Sequence, residues 1–149
     1  LLGAGCDTAV CLNVLEHVED DAVALANLRR ILEPANGRLV LLVPALPALY
    51  SGLDKGIGHF RRYDRKALVR LLEQGGWTVE HTSWFNFTGL AGWALNGKVL
   101  GRDRLPTAQM GLYDALSPVV LPIEKRVKLP IGLSIIAVAR PAAAGGEGR

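Results

Sequence analysis

The sequence predicts an α/β fold built on a buried sheet whose first two strands run parallel, and three observations predict it. Two runs, TAVCL (Thr8 to Leu12) and RLVLLVP (Arg38 to Pro44), are apolar without alternation, as strands buried on both faces are. Apolar residues at near-helical spacing lie between them, so strand, helix and strand read as a βαβ crossover. Polar clusters follow both runs, NVLEH after the first and GHFRRY after the second. Ligands in open α/β sheets sit beyond the carboxyl ends of the strands, where both clusters fall.

The elements follow in order. TAVCL reads as a central strand. After it, Asp20 or Asp21 can cap a helix carrying Val23, Leu25, Leu28, Ile31 and Leu32, which PANG (Pro34 to Gly37) ends. From Ala45 to Tyr63 the chain is irregular, rich in Pro and Gly, and contains DKGIGHFRRY. Asp64 can cap the next helix, RKALVRLLEQ, with Ala67, Leu68, Leu71 and Leu72 on one face and Gly75-Gly76 stopping it. WTVEHTSWFN (Trp77 to Asn86) alternates in part and reads as a third strand, and LSIIAVAR (Leu133 to Arg140) as a fourth. Between these two lies an insertion at about 88–132 with helical patches broken by Gly and Pro, too long and too apolar for an ordinary turn. The tail, 141–149, has no means of burying surface and is expected to be disordered.

Composition narrows the function. At 149 residues, 50% of them hydrophobic, one domain of ordinary size is expected, spanning 1–140. The net charge of +3 arises from 17 basic against 14 acidic residues without a Lys/Arg run, too mild to imply nucleic acid. Cys6 and Cys11 lie five residues apart on or beside one strand, a spacing that points their side chains to opposite faces. No disulfide is expected, nor a Cys-rich metal cluster, and a reduced, cytoplasmic protein fits. The longest uncharged apolar-rich run, Thr82 to Gly97, holds 16 residues, short of the roughly 18 to 20 that span a bilayer. No signal peptide is recognisable at the amino terminus.

The polar clusters carry the candidate chemistry. Glu16 and His17 place a carboxylate and an imidazole near a strand end, where they could orient a substrate hydroxyl, act as base or hold a metal. A helical turn there puts Asn13, Glu16 and His17 on one face; the plainer alternative is a pair that stabilises the turn into the next helix. His59, Arg61, Arg62 and Tyr63 gather an imidazole, two guanidiniums and a phenol within five residues. Arg offers forked donors suited to carboxylate or phosphate. Alternatively Arg61 or Arg62 pairs with Asp54 or Asp64, and Tyr63 packs. Trp84, Phe85, Phe87 and Trp93 in or near the insertion are core residues, the cover of an apolar acceptor or a contact with a lipid headgroup region.

The pattern CDTAVCLNVLEHVEDDAVALANLRRILEPANGRLVLLVPA, a GHFRRY loop, a helix with LLEQGGWTV and a late LSIIAVAR strand, taken in that order, resembles the second half of class I S-adenosylmethionine-dependent methyltransferases. The resemblance covers Cys6 to Arg140. It implies a partial Rossmann-like sheet, with strands equivalent to the family's fourth to seventh, the last two antiparallel, helices on its faces and a helical insertion before the last strand. It implies S-adenosylmethionine as cofactor, touched by Leu12, Asn13 and Val14, with Asn13 bonding its amino-acid part unless it only terminates the strand. His17 and His59 are then candidates for the catalytic base, and Glu16, Arg61, Arg62 and Tyr63 for binding a small-molecule or lipid-like acceptor. The Glu-His pair is similar to one that ubiquinone-pathway O-methyltransferases link to a divalent ion, but their additional acidic position is Asn13 here, and no metal is assigned. The family's glycine-rich loop and ribose-binding acidic residue are absent, GAGCDT (Gly3 to Thr8) being only superficially similar. The chain is therefore expected to be a carboxy-terminal piece with impaired methyl transfer. The alternative is a non-catalytic binding module that forms a homodimer through an exposed sheet edge.

Overall fold

The computed structural model describes residues 5–104, 106–127 and 130–143. Among the described residues, four strands form one mixed sheet in the order β1-β2-β4-β3. β1 (Thr8–Leu12) and β2 (Arg38–Pro44) pair in parallel, with Thr8 opposite Arg38 and Leu12 opposite Leu42. The crossover between them is α1 (Asp21–Leu32). Asp20, not Asp21, caps it, accepting from Val23 N at 2.9 Å. The helix ends in a 3-10 turn at Glu33–Ala35, then Asn36 in the left-handed region. Gly37 follows, where a Cβ would stand 2.6 Å from Asp7 O, so the chain entering β2 can pass the chain entering β1 only without a side chain.

β4 (Ser134–Pro141) lies between β2 and β3 (Trp77–Phe85) and runs antiparallel to both. β3 is preceded by α3 (Arg65–Gln74), capped by Asp64, whose carboxylate accepts from Lys66 N and Ala67 N at 3.0 Å each. One apolar cluster joins sheet and helices: Leu39, Leu41 and Val43 of β2, Ile135, Ala137 and Ala139 of β4, Leu25 and Leu32 of α1, Leu68 and Leu72 of α3, and Trp77. Of the helix faces read from the sequence, these leucines are the buried members, whereas Val23 and Ala67 lie in solvent.

β1 departs from its expected place. It is not central: among the described residues it pairs only with β2, and Val10 and Leu12 are 62% and 51% exposed. Its uniformly apolar sequence suits burial on both faces, but only Ala9 and Cys11 pack against the core cluster. The thiols of Cys6 and Cys11 are free and half-buried.

The stretch after β2 is more ordered than its Pro and Gly content suggested, holding a 3-10 turn (Pro47–Leu49) and the short α2 (Gly52–Gly56). The insertion is helical. α4 (Phe87–Trp93) runs into a π-helical turn, Ala94–Val99, and α5 spans Thr107–Arg126 with Pro118 and Pro122 inside it. Pro118 has no N–H for Asp114 O, and the Ser117 hydroxyl donates to that carbonyl instead, at 2.9 Å. Glu124 of α5 accepts from Phe87 N and Thr88 N at 2.9 and 2.7 Å, placing a carboxylate at the positive end of α4. Of the expected tail, Pro141 closes β4 opposite Trp77, and 144–149 lie outside the described residues.

Leu72→Ala should cost about 2–5 kcal/mol by removing fully buried atoms, and Asp64→Ala about 0.5–2 kcal/mol by removing a cap. Urea unfolding of the two variants checks the ranking, and equal costs would contradict the packing described here.

Candidate functional site

The site is built where the parallel strands end. After Leu12 the chain turns sharply: Asn13 sits in the left-handed region at φ 51°, a conformation asparagine tolerates better than most residues. Its N–H donates to Leu42 O at 2.8 Å, so the backbone of Asn13 continues the β1–β2 ladder. Its side chain is exposed and makes no hydrogen bond among the described residues, flanked by the exposed Leu12 and Val14. The 3-10 turn Leu15–His17 follows and turns Leu15 and Glu16 inward and His17 outward.

The second wall is the loop from α2 to α3. Ser51 and Asp54 form a capping box, in which Asp54 Oδ2 accepts from Ser51 N at 3.0 Å. The other oxygen, Oδ1, accepts from Arg62 Nε at 2.7 Å and from His59 Nδ1 at 3.0 Å. Arg62 also donates from Nη1 to Ala45 O at 3.0 Å, and its guanidinium lies 4.7 Å from the ring centre of Trp93 in α4. Burial lowers the pKa of Arg62, opposed by the adjacent Asp54 carboxylate. Tyr63 bridges in parallel to Ala45, with Tyr63 N donating to Pro44 O at 2.8 Å, so the loop is stitched to the end of β2.

The two walls meet in three places. Phe60 N donates to Glu16 O at 2.8 Å. His17 Nδ1 donates to Gly58 O at 3.1 Å, and the His17 and His59 rings meet edge to face with centres 4.7 Å apart. Asp21, at the start of α1, receives Tyr63 OH at 3.0 Å and Arg61 Nη1 at 2.8 Å, while Arg61 Nη2 donates to Glu19 O. Burial, reinforced by the Asp21 carboxylate, pushes the Tyr63 phenol far above its ordinary range. Glu16 is wholly buried, and burial likewise raises its carboxyl pKa, against the pull of its own backbone N–H and then of His59, His17 and Arg62.

The residues singled out in the sequence thus divide. Glu16, His17 and His59 converge, while Leu12, Asn13 and Val14 form an adjacent exposed ridge. Arg61 keeps 31% of its side chain exposed. Arg62 and Tyr63 are buried, with their polar atoms spent on Asp54, Ala45 and Asp21. Asp54 and Asp21 hold the arrangement and were read from the sequence only as an ion-pair partner and a helix cap. The Ser51-x-x-Asp54 spacing was the signal for the first; nothing in the sequence marks the second.

A sequence-family model described as a methyltransferase domain matches residues 3–82, which span β1, α1, β2, the site loop and α3. The chain belongs to the methyltransferase domain family. Three solved structures resemble this methyltransferase domain at a level that establishes the fold. One is a Bacillus halodurans protein assigned as a methyltransferase, 18% identical, with a TM-score of 0.52 over 92% of this chain and 70% of that one. The second, from Haloferax volcanii, was solved with the Trm112 methyltransferase activator, at 14% identity, a TM-score of 0.52 and coverage of 91% and 54%. The third is the cyclase SpnF, at 17% identity, a TM-score of 0.51 and coverage of 91% and 49%. The methyltransferase domain therefore spans 70% of the first neighbour and about half of the other two. No curated protein sequence matches significantly.

Two predictions follow from the ion-pair and phenol geometry. Asp54→Ala leaves Arg62 buried without its carboxylate and should cost about 3–5 kcal/mol in denaturant unfolding. Tyr63 holds its proton in the folded state at pH values where an ordinary phenol ionises. The stability it contributes is full below about pH 10 and is lost as pH rises beyond. Tyr63→Phe should therefore flatten the decline in stability between about pH 9 and 11, measured by urea unfolding at both values.

Proposed function

We propose that the chain is the part of an S-adenosylmethionine-dependent methyltransferase corresponding to the later strands of its sheet, acting on a small-molecule or lipid-like acceptor. The observation that carries this reading is the family match running through the polar clusters at the carboxyl ends of β1 and β2. Leu12, Asn13 and Val14 suit a cofactor with an amino-acid part and an apolar flank: an exposed carboxamide with free donors and an acceptor stands between two exposed aliphatic side chains. When bound, the cofactor supplies an electrophilic methyl group.

The work left to this chain is alignment of an attacking acceptor atom, and positioning contributes on the order of several kcal/mol to such a displacement. His17, exposed beside Glu16, and His59, whose side chain is largely buried, are the candidate bases for an acceptor proton. Arg61 is the candidate acceptor-binding cation with remaining exposure. Arg62 and Tyr63 serve the acceptor indirectly, by fixing the loop that carries His59 and Arg61. A pocket of about 440 Å³ lined by Trp93, Met110, Leu112, Leu116, Val120 and Leu133 supports an apolar acceptor. Trp93 joins it to the site through Arg62.

A second reading rests on β1, which among the described residues pairs on one side only and carries exposed Val10 and Leu12, with exposed Val14 just beyond it. In that reading the chain is a non-catalytic module that pairs with a second copy. Light scattering across a concentration series separates the two, a dimer favouring the module and a monodisperse monomer counting against it.

Isothermal titration with S-adenosylmethionine and S-adenosylhomocysteine tests the enzyme reading. Micromolar binding is expected, weakened roughly tenfold by Asn13→Ala through loss of one or two hydrogen bonds. Absence of heat and of thermal shift would reject a cofactor site on this chain.

A further inference from the structure

Glu16 presents an electrostatic problem that its protein neighbours leave open. The side chain is fully buried, yet neither carboxylate oxygen receives a hydrogen bond from another described residue. Buried charges are paired, hydrogen-bonded or metal-bound, because desolvation is otherwise uncompensated. His59 Nε2 approaches Glu16 Oε1 to 3.7 Å, beyond hydrogen-bonding distance.

The two imidazoles show why this is not an ordinary ion pair. His59 Nδ1 faces Asp54 Oδ1 at 3.0 Å, and His17 Nδ1 faces Gly58 O at 3.1 Å. Both partners are acceptors, which places a proton on each Nδ1 and leaves Nε2 as the nitrogen that each ring can offer to a ligand. Histidine ligands of metals are held in the same way, donating their other ring N–H to a carboxylate or backbone carbonyl. The Asp54 carboxylate is itself fixed by Arg62 and Ser51, so the His59 ring is oriented before anything binds. One nitrogen from each ring and one Glu16 oxygen all lie within 4.8 Å of one another. Donors about 2.1 Å from a shared tetrahedral ion stand about 3.4 Å apart, close to the separation of His59 from Glu16.

We propose that Glu16, His17 and His59 form a two-histidine, one-carboxylate site for a divalent transition-metal ion of the zinc class, open to solvent on the His17 side. Two nitrogen donors out of three disfavour magnesium and calcium, which take oxygen ligands. Sequence spacing alone does not define the set, since His59 arrives from a different loop than the adjacent Glu16 and His17. An ion here occupies the imidazole lone pairs, so in the metal-bound protein these histidines are ligands and not free bases.

The test uses the full chain, stripped with chelator and then titrated with zinc chloride, without S-adenosylmethionine, so its outcome is independent of the cofactor titration. One equivalent should bind and raise the unfolding temperature by several degrees, and cobalt(II) in its place should give the visible d–d absorption of a four-coordinate nitrogen–oxygen site. Glu16→Gln and the more conservative surface change His17→Gln, each confirmed as folded by circular dichroism, should weaken binding at least roughly tenfold. His81→Gln and the double change Cys6→Ser with Cys11→Ser should retain it. Absence of binding by zinc and cobalt, undiminished binding by folded Glu16→Gln and His17→Gln, or loss of binding in the cysteine variant would each overturn the assignment.

Discussion

The carboxylate of Asp54 is the constraint on which this end of the molecule depends. It is fully buried, and one oxygen receives Ser51 N while the other receives both Arg62 Nε and His59 Nδ1. A buried carboxylate can be kept charged only if its lone pairs are occupied by donors, and here one donor comes from the residue that caps α2 and two from the loop that follows it. Satisfying Asp54 therefore sets where the loop begins, where its imidazole faces and where its guanidinium lies. The position of His59 against Glu16 and His17 is a consequence of that one charge.

The same constraint couples the site to the insertion. Arg62 is sandwiched between Asp54 and Trp93, and the π-helical turn brings Gly97 so close to Ser51 that a Cβ there would stand 2.5 Å from the serine hydroxyl. The insertion is thus packed on the capped start of α2, not hung from the sheet as an appendage. Its helices also brace one another through Glu124, which fills the amino terminus of α4. An apolar pocket in the insertion and a polar cluster at the strand ends are consequently neighbours through a single arginine.

Much of the fold was legible because it follows from local chemistry. Asp64 before RKALVRLLEQ, the PANG stop and the unbroken apolar runs each have a short-range cause, and all reappear as a cap, a turn and strands. The family resemblance, carried by the order of NVLEH, the GHFRRY loop and the later strands, agrees with the methyltransferase domain matched over 3–82. β1 admits two readings, a central strand from its apolar composition and an exposed sheet edge in the dimer reading, and among the described residues it lies at the edge. Composition records the surroundings a strand is suited to, and the described residues cover only one of its faces. The irregular reading of 45–63 failed for a related reason, since Gly and Pro mark turns but do not reveal that Ser51 and Asp54 will cap a short helix between them.

The sequence by itself determined the βαβ unit, the extents of α1 and α3, the family and the two polar clusters, because caps, periodicity and motif order act over a few residues at a time. Only the tertiary structure decided which members of those clusters face one another. Arg61, Arg62 and Tyr63 are consecutive, yet one reaches the surface of α1, one is buried on Asp54 and one bonds Asp21, and no local preference separates them. Glu16 and His59 stand 43 positions apart and meet because the loop must bring its donors to a buried carboxylate. Long-range electrostatic satisfaction, not local propensity, made the site.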